Sequence, residues 1–510
     1  MTRSYLTTTI PYVNARPHLG FALELVQADV LARHRRQVGD DVRLLTGTDD
    51  NSLKNVLAAE AEGIAVQELV DRNAAAFAEL ARPLELSFDD FIRTSSDPRH
   101  RIGVERLWQR CDAAGDLYRK HYEGLYCVGC EQFYAPGDLV DGRCPEHGTE
   151  PQLVAEENWF FRLSRYADPL RELISSGELR IEPGSRRNEV LGLIEGGLHD
   201  FSISRSQRRA RGWGIPVPGD PDQVVYVWWD ALGNYVTSLG YGTGEPEFEH
   251  WWEQSDNRIH LVGKGVLRFH AVYWPAMLLS AGLPLPTQVL VHDYLTVDGR
   301  KLSKSSGTTI DPAELAAEVG ADAVRWWLIR DVPRVGDADF TLDRLTARAN
   351  SDLAGGVGNL VNRVVTMIHR YCDGRVPVDS ATLPGSEDVP RQIESALADF
   401  DFREAANALW SIVEASNRYI ETTRPWELAK TDPSRLPAVL AALHHSCTVI
   451  AEQLQPFLPG ASARIKAQCT PTDGVLPPAR PLFPRVAISP TGQGEKAAET
   501  TATSTSPRPR

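Results

Sequence analysis

No stretch of this sequence is apolar for long enough to span a bilayer, and the opening Met1-Thr2-Arg3-Ser4 has no apolar signal core. A cytoplasmic protein that meets no membrane is the expectation. Excess positive charge is also missing. The formal net charge is −14, which argues against non-specific coating of nucleic acid. A structured RNA met by local basic patches is still open, with Arg33 to Arg36 and Arg205 to Arg211 as candidates, although each run reads more simply as a solvated face. The cysteines do not form a disulfide framework. Cys127, Cys130 and Cys144 fall close together, while Cys111, Cys372, Cys447 and Cys469 are scattered. That spacing fits a metal site in a reducing compartment. No internal repeat is present.

What is there has the balance of a globular protein, 42% hydrophobic and 24% charged. At 510 residues the chain exceeds one hydrophobic core, so roughly two to four domains are expected. The first 50 residues read strand, turn, helix, strand: a β-type stretch ending at Pro11, a helix over His18 to Arg36 with Leu19, Ala22, Leu23, Val26 and Val30 on one buried face, and a strand at Val42 to Leu45. This opening suits a doubly wound, Rossmann-like α/β domain with a parallel sheet, whose ligands bind beyond the carboxyl ends of the strands. Cys, Gly and aromatic residues break the pattern from about 116 to 205, which reads as an insertion. The α/β pattern resumes at Tyr226 to Trp229, Arg258 to Val262 and Val289 to His292. From about 345 to 465 the period is helical throughout. The end of the chain is rich in Ser, Thr, Pro and Gly, which predicts disorder.

Two short stretches carry the chemistry. In Pro17-His18-Leu19-Gly20, the proline suits the start of a helix, whose N–H groups attract anions. Gly20 lets a nucleotide approach the backbone. An ordinary strand–helix turn with an incidental histidine is the competing reading. In Lys301-Leu302-Ser303-Lys304-Ser305, two lysines among small residues give point charges suited to the charge that develops as pyrophosphate leaves. A solvated Lys/Ser loop competes here. Cys127-x-x-Cys130 followed by Cys144-x-x-His147 is a stronger signal. Two knuckles at this spacing fit one tetrahedral Zn2+, structural because four protein ligands leave no open position.

Taken with Ile10-Pro11-Tyr12-Val13-Asn14, Gly47-Thr48-Asp49, Tyr226-Val227-Trp228-Trp229-Asp230-Ala231 and the run from Gly263 to Ala276, the two stretches resemble the signature motifs of class I aminoacyl-tRNA synthetases. The likeness is to the methionyl-tRNA synthetases, from about residue 5 to residue 465. It implies ATP-dependent activation of L-methionine to methionyl-adenylate, with Mg2+ accompanying ATP, and transfer to methionine tRNA. It further implies that His18, Lys301 and Lys304 stabilise the transition state, with Gly20, His292, Ser303 and Lys304 at ATP. Ile10, Tyr12, Trp228, Ala231, Tyr235, His270 and Trp274 would line the methionine pocket, and Asp49 would hold the substrate ammonium. In the family, residues matching Asn359, Arg363 and Trp426 read the CAU anticodon. The expected organisation is a catalytic domain over 1–115 and 206–345, a zinc-knuckle insertion over 116–205, a helical anticodon-binding domain over 346–470, and a disordered tail over 471–510. A monomer is expected.

This chain departs from the family pattern near the active site. Phe21 stands where a second polar residue is usual, and a lost donor to phosphate would cost about 1.5–3 kcal/mol. Asp50, Asn51 and Ser52 replace an acid, His and Gly. Gly265 replaces Asp, Asp293 replaces Gly, and Leu232 replaces Pro. These departures leave open a divergent paralogue that activates another amino acid or charges a non-tRNA acceptor, and an inactive tRNA-binding protein.

Overall fold

The computed structural model describes residues 2–127, 132–134, 136–145, 148–297, 299–301 and 309–487, with the side chains at 132, 136, 300 and 301 left out. Its centre is a six-stranded parallel sheet. The strands are β1 (Arg3–Thr7), β2 (Asp41–Thr48), β3 (Asp90–Arg93), β4 (Arg180–Glu182), β5 (Asn257–Gly263) and β6 (Gln288–His292), in the order β3-β2-β1-β5-β6-β4. The chain therefore winds outward from β1 to β3 on one side, and on the other lays down the edge strand β4 before returning to β5 and then β6. The switch point lies between β1 and β5, and a crevice opens there beyond their carboxyl ends. The segments leaving β1 (Thr8 to Pro11) and β5 (Lys264 to Val266) form its rim.

Helix α1 (Leu19–Gln37) starts at this rim and is buried almost all round, Glu24, Gln27 and Asp29 included. The sequence predicts one buried face. The second face is covered because the helix Ala321–Arg330 packs on it from the C-terminal half. Arg325, fully buried, joins the two halves: its guanidinium pairs with Asp29 at 2.8 Å and donates to the carbonyls of Leu84, Pro456 and Phe457. A charge so deeply placed is tolerated because it is paired and each of its three nitrogens meets an acceptor.

After Gly358 the chain is helical, with long elements at Asn359–Cys372, Phe402–Thr423, Leu436–Leu454 and Pro459–Cys469 sharing one apolar core with α1. The segment expected to be an insertion holds an antiparallel sheet built on Leu117–Cys127 and Gln152–Phe161. It also supplies β4, an edge of the central sheet. No helix among the described residues is long and apolar enough to cross a membrane.

Three expectations need correction. Residues 226–229 are not a strand: they open the helix Val227–Thr237, because a short aromatic and β-branched run reads alike for a strand and a fully buried helix. The first strand stops at Thr7. Pro11 lacks an N–H but still accepts from Asp49 N at 2.9 Å, and Tyr12 bridges to Asp49. The stretch 471–487 is not loose either: Leu476, Leu482 and Phe483 are buried against the helical core. The rest of the expected tail lies outside the described residues.

Candidate functional site

His18 caps α1 from an extended backbone and its carbonyl accepts from Phe21 N at 2.9 Å, so the helix begins at Leu19, one residue later than predicted. The imidazole folds back over Gly20, where a Cβ would sit 3.0 Å from Cε1 and Nδ1 of His18. Glycine at 20 thus gives the histidine its place. Phe21 meets Phe77 edge-on, ring centres 5.2 Å apart, and also lines the cavity beside Gly20. Such a pair contributes about 0.5–1.5 kcal/mol beyond its area. The residue that departs from the family pattern is a core anchor for the helix that presents His18.

Two cavities meet at His18. They share Thr9, Pro11, His18 and Val266 as walls. The first, about 240 Å³, runs along Gly20, Gly263, His292, Asp293 and Tyr294. Its electrostatics centre on Glu24, a carboxylate within α1 that the motifs did not flag. One oxygen accepts from the N–H and hydroxyl of Thr9, each at 2.6 Å, and the other meets His292 Nε2 at 2.9 Å. His292 Nδ1 lies 2.9 Å from the carbonyl of Asp293. Both imidazole nitrogens therefore face acceptors. Burial pushes His292 down, but the hydrogen bond and charge of Glu24 outweigh it and its pKa is raised. Glu24 thus favours the protonated imidazole on the cavity floor.

The second cavity, about 350 Å³, is lined by Ile10, Tyr12, Asp49, Trp228, Ala231 and their neighbours, including Leu232, Tyr235 and His270. Trp228 lies flat on Phe269, ring centres 3.7 Å apart, with Tyr12 edge-on to Trp228. His270 Nδ1 donates to the Val266 carbonyl at 2.9 Å, and Nε2 takes the hydroxyl of Tyr235 at 2.7 Å. Burial lowers His270 to about 4 and raises Tyr235 well above its ordinary value, so this wall is polar and uncharged at neutral pH. Trp274 stands behind it, donating Nε1 to His260 at 3.1 Å and packing on Tyr235, and does not line the cavity. Asp49 is fixed through its backbone and faces the cavity at its only acidic point. Asp50 turns away into Arg93, Ser95 and Thr48. Asn51 donates to Asp230 at 2.7 Å and Ser52 caps the next helix. Those three departures are structural members beneath the cavity.

The other candidates fall elsewhere. Cys127 and Cys144 are both buried in one small cluster with Tyr134, and both touch Thr149. Two buried thiols in one cluster are soft donors of the kind a zinc knuckle uses. Cys130 and His147 lie outside the described residues. Ser303, Lys304 and the side chain of Lys301 do too, although the Lys301 backbone pairs with Thr296 below the loop. Asn359 is exposed at the head of its helix, Arg363 pairs with Glu421 at 2.8 Å, and Trp426 stands half-buried in the short helix Pro425–Thr431, which follows the helix that carries Glu421. The basic runs are not free patches: Arg33, Arg35 and Arg36 pair with Asp29, Asp40 and Asp89, and Arg205 is buried against aromatic rings.

Residues 4–153 and 134–365 match the family model of class I tRNA synthetases (M), and residues 386–483 match the anticodon-binding domain of methionyl tRNA ligase. The chain is 41% identical over 483 residues to the methionine–tRNA ligase of Rhizobium meliloti, covering 92% of each. It is 40% identical over 508 residues to that of Brucella suis, covering 94% of this chain and 97% of the relative. The structure of Mycobacterium tuberculosis methionyl-tRNA synthetase in complex with methionyl-adenylate superposes with a TM-score of 0.87 at 37% identity, over 95% of this chain and 100% of that one.

Proposed function

This chain belongs to the methionyl-tRNA synthetase family of class I tRNA synthetases, and from that premise we propose how its own residues carry out the reaction. It is a methionine–tRNA ligase. A carboxylate oxygen of methionine attacks the α-phosphorus of ATP, pyrophosphate leaves, and a ribose hydroxyl of the tRNA then attacks the adenylate carbonyl as AMP departs. No side chain becomes a covalent nucleophile, so the protein contributes positioning and charge. The single observation that carries the assignment is that two cavities of different character adjoin at His18. The one lined by Gly20, Glu24 and His292 takes ATP, and the aromatic one takes methionine.

In this assignment His18 and Gly20 form the anion-binding start of α1, and His292 holds the nucleotide side. Lys301, Ser303 and Lys304 serve the leaving pyrophosphate. Asp49 holds the substrate ammonium. Ile10, Tyr12, Trp228, Ala231 and Tyr235 surround the thioether, for which aromatic contacts are worth roughly 0.3–1.5 kcal/mol each. His270, neutral at physiological pH, favours an uncharged side chain. Trp274 supports the wall through His260. Asn359, Arg363 and Trp426 read the CAU anticodon by stacking and edge contacts. Cys127, Cys130, Cys144 and His147 hold one structural Zn2+, which ties the knuckle together when bound. Mg2+ arrives on the phosphates of ATP and asks no cage of the protein. On the same reading the catalytic domain spans 1–115 and 206–345, an insertion over 116–205 also lends β4 to the central sheet, a helical domain spans 346–470, and the protein acts as a cytoplasmic monomer.

The test is ATP–pyrophosphate exchange over a panel of amino acids. Exchange driven by methionine is expected; exchange driven by another amino acid and not by methionine overturns the pocket assignment.

A further inference from the structure

The departure at Asp293 puts a carboxylate into the wall of the nucleotide cavity, where a polyanion must bind. Left alone it would repel ATP. It is not left alone. Asp293 is only 7% exposed, and one oxygen pairs with Arg186, from the helix Gly184–Glu195 that follows β4. Lys264 lies 3.8 Å from the same oxygen, and the other oxygen accepts from Gly336 N at 2.6 Å. Around it, Lys264 also pairs with Asp337 at 2.6 Å and covers the ring of Tyr294 at 4.6 Å, while Arg186 is held by Glu189 at 2.6 Å.

The second active-site departure interlocks with the first. A Cβ at Gly265 would stand 2.1 Å from the hydroxyl of Tyr294, so the residue next to Asp293 occupies the space that a side chain at 265 would need. The two changes form one rebuilt wall in which Arg186 supplies the compensating charge. Nothing in the sequence around Arg186 marks it for this.

We propose that Arg186 is a positioning residue for nucleotide binding: acting through Asp293, it neutralises and orients the cavity wall and so sets the affinity for ATP while leaving that for methionine alone. The proposal deepens the reading of this cavity as the ATP site and rests on it. Removing Arg186 leaves the buried carboxylate with only the Gly336 N–H and the more distant Lys264, which is itself held by Asp337. Here that charge faces the triphosphate.

Calorimetric titration of the full-length chain with MgATP and, separately, with methionine tests this without requiring turnover. Arg186→Gln should weaken ATP by about tenfold or more and leave methionine within about twofold. Arg186→Gln combined with Asp293→Asn should recover most of the loss, because no charge is then stranded. Arg186→Lys, which keeps the charge, should fall between wild type and Arg186→Gln and serves if the glutamine variant does not fold. Unchanged ATP affinity in Arg186→Gln or equal losses for both ligands overturns the proposal, as does a double variant no better than the single one. The wild-type exchange assay separates these outcomes from a failure of the assigned activity.

Discussion

At the scale of single residues, the departures that looked damaging in the sequence are accounted for by their neighbours. Phe21 offers no donor to a phosphate, but it anchors α1 on Phe77 in the core. Restoring a polar ring there sets it against that core at the edge of the nucleotide-side cavity. Phe21→His is therefore expected to lower unfolding free energy by about 1–3 kcal/mol, measured by urea denaturation, with no gain in pyrophosphate exchange. Faster exchange at unchanged stability would mean that the position is a weakened phosphate contact after all. Gly20 carries a related lesson. Its missing side chain is explained by the imidazole of His18 above it, a contact within one turn that a motif cannot reveal.

At the scale of elements, α1 connects the two cavities and the core. Glu24 couples it to the segment leaving β1 through Thr9 and to β6 through His292. Because the folded pKa of His292 is raised, the pair stabilises the fold fully below about pH 6.5, the ordinary histidine value, and the contribution is lost as pH rises through the raised value. The stability difference between wild type and Glu24→Gln, from urea denaturation at several pH values, should be largest near pH 6 and shrink at higher pH. A difference that grows with pH contradicts the pairing. His270 works in the opposite sense. Its folded value of about 4 means that its contribution is present above about pH 6.5 and is lost as pH falls toward 4.

How much of this was legible in the sequence differs by element. The strand–turn–helix opening, the helical second half and the lining residues Tyr12, Trp228 and His270 could be read from local pattern and family likeness. Glu24 was not, since a lone acid inside an apolar helix carries no sign of the strand that will close over it, although an acid flanked by Leu23 and Leu25 was a hint. Arg186 could not be read at all. Its partner is 107 residues away, and only the placement of β4 at the sheet edge brings them together. Residues 226–229 misled because an aromatic run has no period to distinguish strand from buried helix.

At the scale of the whole molecule, catalytic and helical parts share one core, with Arg325 and Asp29 buried at their junction. The residues assigned to the anticodon sit on helices of the C-terminal part and line neither cavity. Their loss should thus separate the two half-reactions. Trp426→Ala is expected to leave methionine-dependent exchange unchanged and to cost about 1–3 kcal/mol in kcat/KM for tRNA charging, the worth of one stacked base. Equal losses in both assays would assign Trp426 to the fold rather than to RNA.

The central claim is that this rebuilt site activates methionine and passes it to methionine tRNA. The most direct measurement is transfer of radiolabelled methionine by the full-length chain to tRNA carrying a CAU anticodon, beside the same tRNA with that anticodon altered. Charging of the CAU tRNA and little of the altered one is the predicted result. Methionine activation without transfer to either tRNA, or charging indifferent to the anticodon, would contradict it.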